Sequence, residues 1–103
     1  MSSKARVYAG DCGFINVIEV DSSNGKSLEI NISSNCEKVS GMQNDLKEIS
    51  WEQLFEEIFD SPVYRSANKN SLHSDCIVPA CVLKVCKVEL GFMLPKEAKM
   101  KFD

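Results

Sequence analysis

Strict alternation of apolar and polar residues is the pattern that most constrains how this chain can fold. In SLEINI, residues 27 to 32, the side chains of Leu28, Ile30 and Ile32 share one face of an extended strand, and the polar side chains share the other. A strand of this kind buries one face against a core and leaves the other in water. The segment therefore predicts a β-strand in a sheet that is covered on one side.

Two earlier segments predict further strands. Residues 5 to 9 (ARVYA) and 14 to 20 (FINVIEV) are rich in β-branched and aromatic residues, which favour extended structure. Turn residues separate the three segments, namely 10 to 13 (GDCG) and the stretch 21 to 26, which contains Asn24-Gly25. We therefore expect a three-stranded antiparallel meander.

The period of the apolar residues becomes helical after the third strand. A first set follows the polar residues 33 to 35 and predicts a helix that begins near Cys36; its members are Val39, Met42, Leu46 and Ile49. Ser50 and Gln53 can form a capping box at the start of a second helix. The apolar stripe of that second helix would consist of Trp51, Leu54, Phe55 and Ile58.

Proline and glycine mark the remaining elements. Ser61-Pro62 is typical of the cap and first position of a short third helix. A last, largely buried helix is predicted to start between Asp75 and Pro79 and to end at Gly91, because proline is tolerated only in a first turn and glycine favours a helix end. Beyond it, Ala98, Met100 and Phe102 alternate with lysines and predict a closing strand.

These elements predict one α+β domain over residues 1–103. The expected architecture is an antiparallel sheet of three to four strands with three or four helices packed mainly on one face. The 103 residues are 44% apolar and 26% charged, which is ordinary for a globular domain that buries its own core.

Charge and hydropathy exclude two classes of partner. The net charge is −3 and the lysines are scattered among acids, so no basic face is available to follow a nucleic-acid backbone. No segment approaches the roughly 18 apolar residues that a membrane span requires, and the first residues lack the apolar core of a signal peptide. We therefore expect a cytoplasmic protein that binds neither nucleic acid nor membrane.

Five cysteines then require an explanation, because thiols in a reducing compartment stay free unless a metal, a cluster or a reaction uses them. In an up-down-up meander, the turn that holds Cys12 and the residues just past the third strand, including Cys36, lie at the same end of the sheet. Cys76 and the chain's one histidine, His73, join them if the last helix starts at that end. Cys36 and Cys76 each fall near a predicted helix start, which favours a lowered thiol pKa.

Three sulfur atoms and an imidazole form a donor set that suits zinc or an iron–sulfur cluster with one noncysteine ligand. The set would be Cys12, Cys36 and Cys76, with His73 or Asp11 completing it. Two alternatives remain open: a thiol redox or persulfide-transfer partner, and a structural or interaction module with inert thiols. Cys81 and Cys86 point to other faces of the last helix and are predicted to be core.

A resemblance favours the first of these hypotheses. Cys12-Gly13 before a strand, Cys36 at a helix start, and His73 with Cys76 before a late helix are similar in order to the cysteines of U-type iron–sulfur scaffold proteins. That resemblance implies cluster or zinc thiolates at the three cysteines, with His73 as a fourth ligand. Where those scaffolds have an aspartate after Cys-Gly this chain has Phe14, and Asp11 offers a substitute.

The stretch HSDCIVPACVLKVCKVELGFMLPK, together with CGF and a middle cysteine, also resembles a family of small prokaryotic proteins that brings no activity with it. From all of these features we expect a small nonenzymatic protein that binds a metal or iron–sulfur cluster. It would act as a scaffold, carrier or accessory protein, with a possible protein client. The identity of the metal, the oligomeric state and the client stay open.

Overall fold

The four strands form one antiparallel sheet in a computed structural model that describes residues 2–103. Their order in the sheet is their order in the chain, so each strand pairs with its sequence neighbour. The strands are β1 (Ser2–Tyr8), β2 (Ile15–Ser22), β3 (Ser27–Ser34) and β4 (Glu48–Ser50). The predicted meander is confirmed, and β4 extends it by one short strand.

The register places the alternating apolar residues on one face of the sheet. Ile18 of β2 lies between Ala5 of β1 and Ile32 of β3, and Val20 lies opposite Ile30. All of the β2 and β3 members of this row are buried. The opposite face carries charged residues such as Lys4, Arg6, Glu19 and Glu29, so the sheet is covered on one side, as SLEINI predicts.

Three α-helices complete the domain: α1 (Glu37–Gly41), α2 (Pro62–Lys69) and α3 (Val78–Glu89). α3 packs across β1 and β2, α1 packs against β3, and α2 contacts α3. Val78, Val82 and Cys86 of α3 are fully buried against the sheet. The chain thus has the expected α+β class.

The two later helices begin close to where proline predicts them. Ser61 caps α2, and its hydroxyl accepts a hydrogen bond from the amide of Tyr64. Pro79 lies in the first turn of α3, where its missing N–H costs no intrahelical hydrogen bond.

The prediction of one helix from Cys36 through Ile49 is wrong. α1 ends at Gly41, a single 3₁₀ turn follows, and Ile49 lies in β4, where it pairs with Leu28. Gly41 and, three residues later, Asn44-Asp45 are weak helix formers. Pairing with β3 also offers residues 48–50 an alternative set of backbone hydrogen bonds. All four apolar residues of the predicted stripe are nevertheless buried.

The prediction of a second α-helix from Ser50 is also wrong, although its capping box is present. The amide of Ser50 donates to Oε1 of Gln53 at 2.9 Å, and the segment then forms a 3₁₀ turn over Trp51–Phe55 and another over Ile58–Asp60. Glu56 and Glu57 between them are extended. Of the predicted stripe only Leu54 is buried, so packing does not supply the energy that an α-helix here would need.

The predicted closing strand over residues 98–102 does not form. Residues 94–103 adopt neither helix nor strand, and Leu94, Met100 and Phe102 are exposed. Alternation alone supplies a strand's side-chain pattern, but a strand also requires a neighbouring edge with which to share backbone hydrogen bonds.

The side chain of Gln43 takes the place of a strand along β3 where β4 stops. Its Oε1 accepts a hydrogen bond from the amide of Ile32, and its Nε2 donates to the carbonyl of Ile30 at 2.7 Å. One carboxamide thus satisfies two backbone groups at the edge of the sheet, which would otherwise stay unpaired in a half-buried position.

We expect Gln43→Ala to lower the free energy of unfolding by about 2 kcal/mol, because both backbone groups lose their partner. Urea unfolding followed by far-ultraviolet circular dichroism measures this change. The neighbouring exposed residue provides the control, since Asn44→Ala removes a similar side chain from the same turn. Equal losses in the two variants would show that the Gln43 side chain does not support the sheet edge.

Candidate functional site

Cys12 and Cys36 lie at the same end of the sheet. The connection between β1 and β2 is a 3₁₀ turn, Gly10–Cys12, which Gly13 closes in a left-handed conformation at φ 74°. At this end Ile15 pairs with Tyr8, and Asn16 pairs with Ser34, two residues before Cys36. Strand parity therefore places the two cysteines together, as the sequence predicts.

The direction of α3 brings Cys76 to that end as well. At the far end of the helix, the carboxylate of Glu89 accepts hydrogen bonds from the Ser3 hydroxyl at 2.7 Å and from the Ser22 amide at 3.3 Å. Ser3 is the second residue of β1 and Ser22 ends β2, so the last turn of α3 lies at the end of the sheet opposite the cysteine turn. The first turn of α3, which begins two residues after Cys76, consequently lies at the same end of the sheet as the cysteine turn.

His73 is tied to Cys76 by a tight turn. The amide of Cys76 donates to the carbonyl of His73 at 3.0 Å, which fixes the spacing of the two backbones. The His73 side chain is exposed, and so are the side chains of Asp11 and Cys12, whereas Cys36 and Cys76 are half-buried. The two half-buried thiols thus form the inner part of the candidate site and the other three groups its solvent side.

Charge couples the three thiols. Partial burial raises the pKa of Cys76, and a hydrogen bond from the amide of Val78 offsets part of that rise. Negative charge at Cys12 and Cys36, and to a smaller degree at Asp75, raises the pKa of Cys76 further. Because such effects are largely screened beyond about 10 Å, the ionised thiols are close enough to oppose one another. A cation among them would reverse this repulsion.

The expectation that a helix start lowers the pKa of Cys76 is wrong. Cys76 lies two residues before α3 begins at Val78, and the single amide that reaches its sulfur does not outweigh burial and the neighbouring negative charges. Cys76 therefore needs a nearby positive charge to be held as a thiolate at neutral pH.

A buried polar relay supports the backbone of Cys36. Asn16 is only 1% exposed and occupies an inward position of β2. Its Nδ2 donates to the carbonyl of Val7 at 3.3 Å, and its Oδ1 accepts from the Ser34 hydroxyl at 2.5 Å. The Ser34 oxygen in turn accepts from the amide of Cys36 at 3.0 Å. The relay joins β1, β2, β3 and the start of α1 directly beneath the candidate site.

Sequence reasoning missed Asn16, although the signal was present. In FINVIEV the inward row reads Asn16, Ile18 and Val20, so a polar residue stands where the alternation calls for an apolar one. A buried amide is costly unless it is hydrogen-bonded, which makes such an interruption a marker of a specific structural role.

The five predicted site residues lie at one end of the fold, but their side chains do not converge on one position. Among residues 2–103, no group of three or more histidine, cysteine, aspartate or glutamate side chains is gathered closely enough to hold a metal ion. The turn that holds Cys12 is exposed and is flanked by Gly10 and Gly13, both at positive φ. Glycine has no Cβ, so the backbone at these two positions can change conformation at little steric cost.

The two remaining cysteines lie within α3. Cys86 is fully buried in the core, and burial raises the pKa of its thiol to about 12. Cys81 is half-buried, packs against the core and also has a pKa raised by burial. Both therefore act as apolar side chains of α3, in agreement with their predicted core positions.

Comparison with known proteins adds one match. The model of a family of unknown function, DUF6951, matches residues 3–102. Neither the curated proteins nor the solved structures contain a match. In the part of the chain that the structure describes, every helix is too short or too polar to cross a membrane.

Proposed function

Because this chain belongs to the DUF6951 family of unknown function, its role has to be inferred from its own site, and we propose that it binds a metal ion or an iron–sulfur cluster. The ligands are the thiolates of Cys12, Cys36 and Cys76, and His73 or Asp11 completes the shell. In this proposal the protein is a small nonenzymatic scaffold, carrier or accessory protein of the cytoplasm.

One observation carries the proposal: three thiols from separate segments of the chain, Cys12 in the β1–β2 turn, Cys36 before α1 and Cys76 before α3, lie at one end of the sheet. Negative charge at Cys12 or Cys36 would oppose ionisation of Cys76. A bound cation removes the repulsion, since it favours the thiolate at each position and thiolates are strong ligands for zinc and for iron–sulfur clusters.

The three proposed thiolate ligands differ in how firmly the structure holds them. The relay through Asn16 and Ser34 holds the backbone of Cys36, and the amide of Val78 points at the sulfur of Cys76. Hydrogen bonds of this kind orient metal ligands and tune their basicity. Cys12, on its exposed turn, is the ligand whose movement would complete the site. The cysteine order, which resembles that of U-type scaffold proteins, supports the same assignment.

Elemental analysis of untagged protein purified without oxygen tests the proposal, together with an ultraviolet–visible spectrum. We expect about one zinc ion per chain, or iron and sulfide with charge-transfer absorption. Cys36→Ala should lose the metal completely, because two remaining thiolates cannot hold it tightly. Cys81→Ala is the matched control and should keep the metal, since that half-buried thiol packs against the core and is not one of the proposed ligands.

Metal-free wild-type protein that stays folded after incubation with zinc, or with iron and sulfide, would contradict the proposal. So would full metal content in Cys36→Ala. A thiol-transfer protein is distinguishable in the same preparations, because alkylation of one cysteine would end its activity without any metal being present. An inert module would resist alkylation at its half-buried thiols until it unfolds.

A further inference from the structure

An exposed cluster of aromatic rings lies where the 3₁₀ segment after β4 meets the end of α3. Trp51, Phe55 and Phe92 form this aromatic patch, with ring centroids 6.3 Å apart for Trp51 and Phe55, 6.4 Å for Trp51 and Phe92, and 5.2 Å for Phe55 and Phe92. The ammonium of Lys87 lies 5.1 Å from the centre of the Phe55 ring. The three side chains are 39%, 54% and 55% exposed. Clustered exposed rings of this kind mark interaction sites.

The chain around the aromatic patch is acidic. Four exposed carboxylates lie within the ten residues that begin at Trp51: Glu52, Glu56, Glu57 and Asp60. Of these, Asp60 is paired with Arg65 at 3.6 Å, between two well-exposed side chains. An apolar surface with this surround fits a partner segment that combines large apolar side chains with lysine or arginine.

Residues 94–103 of the same chain have this composition. Leu94, Met100 and Phe102 are 67%, 76% and 87% exposed. Three lysines, at positions 96, 99 and 101, outnumber the two acids at 97 and 103, and Lys99 pairs with Glu97 at 3.4 Å. These three apolar side chains occur within nine residues of one another, so the segment offers several apolar contacts at once. Two complementary uncovered surfaces therefore occur in one sequence.

The segment does not cover the aromatic patch of its own chain. Phe92 belongs to the patch, yet Met100 and Phe102 remain exposed only eight and ten residues later. Lys87 and the acidic residues are likewise left without apolar cover from this segment. A second copy can present its segment from outside, free of the short connection through Leu94-Pro95.

We propose that residues 94–103 of one copy dock on the aromatic patch of a second copy, and that the reciprocal contact closes a symmetric dimer. Phe102 and Met100 pack on the rings, and Lys96 and Lys101 face the carboxylates. Exchange of identical segments is a low-cost route to a dimer because one kind of contact is made twice. Two such short contacts place the dimer in the weak, transient class of interfaces, below about 1,200 Å² in total, so it should dissociate on dilution.

Sedimentation velocity and tryptophan fluorescence test the dimer together. Trp51 is the chain's one tryptophan and lies in the aromatic patch, so its emission reports directly on docking. We expect the full chain to shift from monomer to dimer with rising concentration, with a blue shift of emission over the same range. The double variant Met100→Glu, Phe102→Glu should stay monomeric with unshifted emission. The control Tyr8→Glu changes another exposed aromatic residue and should dimerise normally.

Mixing two defective variants sharpens the test. Phe55→Glu removes the patch and keeps the segment, whereas the double variant keeps the patch and removes the segment. Neither should dimerise alone, and their mixture should give a heterodimer through one intact contact. A monomeric wild type at every concentration would overturn the proposal. So would a dimer that the double variant leaves intact, or an emission shift that is independent of concentration, which would mean that the segment folds back on its own chain.

Discussion

Replacing Asn16 with aspartate should destabilise the fold by about 3 kcal/mol at neutral pH, although the two side chains have almost the same shape. The Asn16 amide donates to the carbonyl of Val7, and a carboxylate has no proton to donate there. Instead an ionised oxygen would face a carbonyl oxygen in a position that is 1% exposed. The charged form is therefore strongly disfavoured in the folded state.

The sign of the pH dependence follows from this burial. A carboxyl that is buried beside the carbonyl of Val7 has a folded-state pKa above its unfolded value of about 4, so the folded state binds the extra proton. The destabilisation of Asn16→Asp relative to wild type should grow by about 1.4 kcal/mol per pH unit between that value and the raised pKa, and shrink again in acid.

Urea unfolding of both proteins at a series of pH values measures the difference. Asn35→Asp is the matched control, because Asn35 is exposed beyond the paired part of β3 and the same substitution there should have almost no effect. A pH-independent difference between wild type and Asn16→Asp would show that the relay beneath Cys36 is not held by the Asn16 amide.

Alkaline unfolding should depend strongly on Cys86. Burial raises the pKa of this thiol to about 12, whereas an unfolded thiol ionises near pH 9. Between these values the unfolded state has lost a proton that the folded state keeps. Stability is therefore fully present below about pH 9 and is lost at about 1.4 kcal/mol per pH unit above it, reaching about 4 kcal/mol.

Cys86→Val isolates this contribution, because valine fills a similar volume and does not ionise. We expect the unfolding free energies of wild type to fall more steeply with pH than those of the variant above about pH 9, and the two curves to run parallel below it. Parallel curves throughout would mean that the thiol is accessible to water in the folded state. Lysine and tyrosine ionisation affects both proteins equally and cancels in the comparison.

The fold could be predicted from the sequence where its pattern is local. SLEINI forms β3 because its alternation suits one pairing face, and Pro62 and Pro79 fix the starts of α2 and α3. Ile49 shows where this reasoning stops. Its helical spacing from Leu46 marks it as buried, but its structure is decided by pairing with Leu28, more than twenty positions earlier in the chain. Periodicity identifies what is buried more reliably than the element that buries it.

The candidate site divides in the same way. Strand parity places Cys12 beside Cys36, and a helix that must run back along the sheet places Cys76 near both. The pKa of Cys76 could not be predicted, since it depends on how deeply the thiol is buried and on the charges around it. The metal assignment stays a prediction, because sulfur positions depend on side-chain rotation and on the Cys12 turn, which sequence spacing does not specify.

The Glu89 contacts hold the far end of α3, so a tilt of the helix about that end would move the Cys76 end most. Its twelve residues span about 18 Å, and the hydrogen bonds from Ser3 and Ser22 hold one end while Cys76 precedes the other. A tilt of about 10° about the Glu89 end would move the Cys76 end by about 3 Å. A zinc–sulfur bond is slightly shorter than this, at about 2.3 Å. The two hydrogen bonds to Glu89 thus help to fix the position of the Cys76 end of α3 relative to β1 and β2.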